Sequence, residues 1–156
     1  MDTRQRVEDT SKYPFNAIAF LEMGFFSDHK TYSGSAFLAD SNILVTVAHN
    51  VRDKNKSPAR YVNVTFGLNG LDIGYKKKKI RLRGSDFRVP DSYQTAMDAN
   101  DIAWVNLKEL YNKTETLEWS LKDLPQDSFS TCSIPDSHGS LDEHFTICGN
   151  YLLNNN

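Results

Sequence analysis

Apolar residues in this chain come in short bursts, and the spacing within each burst is that of strands. Residues 15–23 hold Ala17, Ile18, Ala19, Phe20 and Leu21 almost without interruption. Two further runs, 36–38 and 43–47, flank a polar corner at 40–42, the pattern of adjacent antiparallel strands. Residues 61–66 mix β-branched and aromatic side chains with polar ones, which favours a pleated, half-buried surface. Ile80 and Leu82 alternate with Arg81 and Arg83, and residues 101–107 form a sixth apolar run. Turn signals separate the runs: Gly24, Pro58, Gly67, Asn69-Gly70, Gly74 and Val89-Pro90-Asp91. Six short strands between such turns predict an all-β chain, a small antiparallel six-stranded β-barrel. Residues 50–53 are expected to form a short helical turn, and 143–151 one more strand. Residues 1–13 read as a polar, extended arm ended by Tyr13-Pro14, and 108–140 as a polar connector.

Candidate chemistry sits at the end of the third run. His49 follows the β-branched stretch Val45-Thr46-Val47, where a strand stops at a rim. There a side chain is held rigidly and still meets solvent. Imidazole is also the side chain that exchanges a proton near neutral pH. His29, by contrast, falls in the loop 24–32 and reads as a solvated loop residue.

The motifs around His49 resemble the trypsin-like serine endopeptidases of chymotrypsin fold. Gly34-Ser35-Ala36-Phe37-Leu38 is similar to the family's Gly-[Ser/Thr]-small-Phe-Leu strand. Leu44-Val45-Thr46-Val47-Ala48-His49 is similar to the strand whose terminal His is the general base. Asn100-Asp101-Ile102-Ala103-Trp104-Val105-Asn106-Leu107 resembles the family's Asp-Ile-Ala-Leu-x-x-Leu block. The opening Asp2-Thr3-Arg4-Gln5-Arg6-Val7, with Tyr13-Pro14, looks like the glutamyl-endopeptidase branch. The resemblance implies that His49 is the base and Asp101 the carboxylate that orients it, with Asp98 the competing carboxylate. A Cys follows the His in many family members; here the position is Asn50.

The same resemblance implies three segments: an arm over 1–13, a first β-barrel over 14–108, and a connector with the start of an incomplete second barrel over 109–156. The family's nucleophile lies in a Gly-Asp-Ser-Gly-Gly-type loop, and no such segment occurs in this sequence. Ser137 and Ser140 come too soon after Asp101 and read as turn residues. The chain alone is therefore expected to lack peptidase activity. A peptide or protein substrate is expected only if a second barrel completes the site. The alternative expectation is a non-catalytic protease-like barrel acting as a binding module.

Composition narrows the partners. A formal net charge of −2 gives no pull toward nucleic acid or an anionic membrane, which also disfavours an unrelated nucleic-acid-binding barrel. The four lysines at 76–79 read as a solvated edge that blocks strand-to-strand association. No apolar run approaches a membrane span. The charged N-terminus lacks a signal-peptide core, while family members are commonly secreted, so localisation stays open. Cys132 and Cys148 make no disulfide framework; free thiols are the first expectation, and a Cys132–Cys148 bridge, which needs an oxidising compartment, is the alternative. With His138 and His144 they match no zinc spacing, and no metal or cofactor is expected.

Overall fold

A computed structural model describes residues 7–40, 42–69, 79–95, 99–114, 117, 119–125, 131–133 and 145–147. Six strands form one sheet: β1 (Ile18–Gly24), β2 (Thr31–Ala39), β3 (Ile43–Thr46), β4 (Tyr61–Phe66), β5 (Ile80–Leu82) and β6 (Ala103–Asn106). Their order is β5-β4-β1-β2-β3-β6, and each neighbouring pair is antiparallel. The sheet curls until its two ends approach. Past β5 the chain reaches Arg88, which exchanges both backbone hydrogen bonds with Trp104 of β6, at 2.7 and 3.0 Å. The architecture is the all-β, six-stranded antiparallel barrel that the apolar runs predict.

Alternation along the strands builds the interior. Ala19, Leu21 and Met23 of β1 face inward with Ala36 and Leu38 of β2, Leu44 of β3 and Val62 and Val64 of β4. Ile80, Leu82, Ala103 and Val105 close the ring. Fully burying a side chain of the Val, Leu or Ile kind contributes about 1.5–3 kcal/mol, so this interior is the main stabilising feature. The opposite parity is also apolar on one side. Phe37 pairs with Val45 and Val45 with Trp104, and these join Ala39, Ile43 and Ile102 in a second cluster on the outer face. Beside it on β1, Ile18 and Phe20 are substantially exposed.

Several boundaries differ from the sequence expectation. β2 starts at Thr31, because its first five residues pair with β1 through Gly24↔Thr31 to Phe20↔Ser35, although small and polar side chains hide the alternation. Residues 8–14 run as bends and turns rather than an extended arm. They are tied down where Thr10 Oγ1 donates to the Gly67 carbonyl at 2.5 Å and Asn69 Nδ2 donates to that of Glu8 at 2.7 Å. The connector opens with a helix, α1 (Leu107–Lys113). Asn106 caps it by accepting the Glu109 backbone N–H at 3.0 Å, and Glu109 pairs with Lys113 and Arg88. Leu107 anchors the helix in the barrel core. Further on, β7 (Thr131–Ser133) and β8 (Phe145–Ile147) form a separate antiparallel pair. Of the expected strand over 143–151, residues 145–147 are described, and they form β8. Lys76 to Lys78, Asp98, Ser137, His138, Ser140, His144 and Cys148 lie outside the described residues.

Candidate active site

The pairing of β3 with β6 decides where the site forms. Thr46 opposes Ala103, and the two strands run in opposite directions. The residues just after Thr46 and those just before Ala103 therefore emerge at the same rim. The chain past β3 turns at once into a single 3₁₀ turn, Ala48–Asn50, closed by Asn50 N–H to the Val47 carbonyl at 3.1 Å and Val51 N–H to the Ala48 carbonyl at 2.9 Å. Ala48 and Asn50 are buried and His49 between them is the residue left facing out. On the other strand, Ile102 N–H bonds the Asn100 carbonyl at 2.8 Å, which bends the chain before β6 and presents Asp101.

Asp101 meets His49 twice. Its Oδ2 lies 2.6 Å from Nδ1 of the ring, and its Oδ1 accepts the backbone N–H of His49 at 3.0 Å. An ionised carboxylate only accepts, so in the neutral ring Nδ1 carries the proton and Nε2 keeps its lone pair. The Asp101 side chain is 7% exposed and that of His49 44%. The charge is thus sheltered while the ring stays reachable from solvent, and shelter strengthens its action on the ring.

No family model matches this sequence. An extracellular metalloprotease of Bacillus subtilis (strain 168) is 28% identical over 74 residues, 47% of this chain and 24% of that protein. Two solved proteases superpose on most of the chain. A Glu endopeptidase in complex with MPD matches with a TM-score of 0.56 and 19% identity, over 85% of this chain and 53% of its own. The protease Anisep from Arthrobacter nicotinovorans matches with a TM-score of 0.55 and 13% identity, over 78% of this chain and 52% of its own. The fold is chymotrypsin-like. The chain spans about half the length of these two proteases and about a quarter of the curated relative.

In this chymotrypsin-like barrel, His49 and Asn50 line an open cleft of about 620 Å³. Met23, Phe25, Tyr32 and Tyr93 supply apolar and aromatic wall, and Asp28, Arg52, Asp53 and Lys54 supply charge. Tyr32 donates its hydroxyl to Asp28 Oδ2 at 2.7 Å. That bond holds the Asp28 carboxyl below its ordinary range and pushes the Tyr32 hydroxyl above its own. The name of the curated relative implies a metal. Among the described residues no group of three or more His, Cys, Asp or Glu is placed to hold one, so these residues do not fit a metal site.

Two neighbours of His49 carry structure that the sequence did not reveal. Arg52 is half-buried and donates to the carbonyls of Val51, Gly84 and Phe87 at 3.1, 2.6 and 3.2 Å, tying the loop after the histidine to the β5–β6 connection. Burial lowers its pKa. Asn50 packs its carboxamide against Gly34 and donates to Thr46 Oγ1 at 2.9 Å. The partner of Asn50 on β2 depends on a register the sequence does not print. Of the remaining candidates, His29 is exposed in the β1–β2 loop, as expected for a solvated residue. Cys132 lies in β7.

Proposed function

We propose that this chain is the base-bearing barrel of a serine endopeptidase. His49 is the general base, Asp101 orients it, and the attacking serine belongs to a second barrel that completes the site. The observation that carries this reading is the two-point hold of Asp101 on His49 beside an open cleft. The fold supports it, because two solved proteases superpose on most of the chain.

The chemistry follows from the geometry. Nε2, the free acceptor of the ring, takes the proton of a serine hydroxyl as the oxygen attacks a peptide carbonyl. The ring then becomes positive, and the sheltered carboxylate on Nδ1 stabilises that charge without itself becoming protonated. The same Nε2–H later protonates the departing amine. Residues 1–156 supply the base and its partner, and the chain by itself does not hydrolyse peptides.

Sequencing the coding region on past Asn156, and assaying the product on a broad peptide mixture, tests this. The expected result is hydrolysis that falls by about 10⁶-fold in His49→Ala. Hydrolysis indifferent to His49→Ala contradicts the assignment. A stable, monodisperse product with no hydrolysis at any length points instead to a protease-like barrel serving as a binding module.

A further inference from the structure

The turn that carries His49 is fastened to β2 by side chains rather than by the sheet ladder. The β2–β3 ladder ends at Phe37↔Val45. Beyond it the Ser35 carbonyl has lost its backbone partner on β3, and Thr46 Oγ1 takes that place by donating to it at 2.8 Å. Thr46 Oγ1 in turn accepts Asn50 Nδ2–H at 2.9 Å. A relay thus runs from the turn through β3 to β2, and Asn50, 8% exposed, is its outer end.

The site is also shaped to admit that carboxamide. A Cβ on Gly34 would stand 2.6 Å from Asn50 Nδ2 and 2.8 Å from its Oδ1. Only a glycine lets the Asn50 side chain lie flat on the strand. Asn50 follows His49 directly, so the hold on its side chain also restrains the backbone N–H that Asp101 Oδ1 accepts.

We infer that Asn50 is a positioning residue: through Thr46 and across Gly34 it fixes the turn so that the His49 ring stays on Asp101 in one tautomer. The inference rests on the proposed role of His49, but it is a statement about the ring's geometry and is read without a nucleophile.

The experiment is imidazole NMR of the 156-residue chain, following the low-field proton on His49 Nδ1 and the tautomer reported by the ring nitrogens. The unaltered chain shows a single tautomer with a protected Nδ1 proton. Asn50→Leu keeps the volume and removes the donor. Thr46→Val keeps the shape and removes the relay oxygen. Both lose the protected proton and give averaged ring nitrogens while keeping dispersed amide spectra. Thr46→Ser, which retains the oxygen, restores the signal. Should Thr46→Val not fold, Asn50→Leu and Asn50→Ser decide on the same signal.

Persistence of the Nδ1 proton in these variants, even with a lowered Tm, overturns the inference and leaves Asn50 a packing residue. Absence of that proton from the unaltered chain overturns it as well. A chain that shows the Asn50-dependent signal but gains no peptidase activity when completed refutes the peptidase reading alone.

Discussion

Asp101 holds His49 by two different parts of the same residue: one oxygen on the ring at 2.6 Å, the other on the backbone N–H at 3.0 Å. The ring bond sets tautomer and tilt. The backbone bond sets how far the turn stands from β6. Neither requires long loops, because the Thr46↔Ala103 register delivers both residues to one rim. Asp101→Asn keeps the shape but offers an amide, whose NH₂ group can face Nδ1 and turn the proton onto Nε2. In the completed enzyme kcat falls by about 10⁴-fold with KM little changed, measured by steady-state kinetics on a peptide substrate.

Gly34→Ala and Gly84→Ala separate a yielding neighbour from an unyielding one. At Gly34 the new methyl meets the Asn50 side chain, which can rotate away at the loss of its bond to Thr46. At Gly84 it meets backbone, 2.2 Å from Ala59 N and 2.6 Å from the Val51 carbonyl. Overpacking costs about 1–3 kcal/mol, with Gly34→Ala toward the lower end and Gly84→Ala at or above the upper. Thermal unfolding reads this as a Tm lowered by about 2–4 °C per kcal/mol, with the larger drop for Gly84→Ala.

Arg52→Met removes three hydrogen bonds to carbonyls; those of Val51 and Gly84 keep the N–H groups of Ala59 and Phe87, while that of Phe87 loses its Arg52 donor. The expected loss is about 1–3 kcal/mol of stability. Arg52→Lys recovers only part of it, since one ammonium cannot span the carbonyls that the planar fork reaches. Urea unfolding of the two variants checks the ranking.

The Tyr32–Asp28 bond has a defined pH window. The raised Tyr32 value means its contribution is present at low pH and is lost as pH rises through the folded-state value. The lowered Asp28 value means its contribution is present above the ordinary carboxylate range and is lost as pH falls through the folded-state value. Between those limits the bond holds Tyr32 at the cleft wall. Asp28→Ala lowers the Tyr32 value toward that of an ordinary phenol and leaves the part that desolvation raises, which phenolate absorbance follows.

The strands were legible wherever apolar and polar positions alternate, as at Val62 and Val64 or Ile80 and Leu82. The first half of β2 was not, because Ser33, Gly34 and Ser35 have no apolar side chain to betray a pleat; their pairing with β1 makes them strand. Helix α1 was hidden by charge: Leu107 and Leu110 are its apolar face, and the cap formed by Asn106 on the Glu109 N–H is a local signal that the polar background masks. At the site, His49 and Asp101 were found by motif likeness, and the β3–β6 register supplies the physical reason for their meeting. Asn50, Thr46 and Gly34 form a group only in three dimensions, since their contact crosses from the turn to a strand sixteen positions earlier.

In the proposed enzyme His49 serves a serine outside this barrel. Labelling the protein with its natural ends by a fluorophosphonate, and locating the modified residue by mass spectrometry, tests it most directly. The expected result is one labelled serine beyond Asn156, with labelling lost in His49→Ala and in Asp101→Asn. Labelling that survives His49→Ala, or a protein with natural ends that takes no label while His49 and Asp101 stay paired, contradicts it.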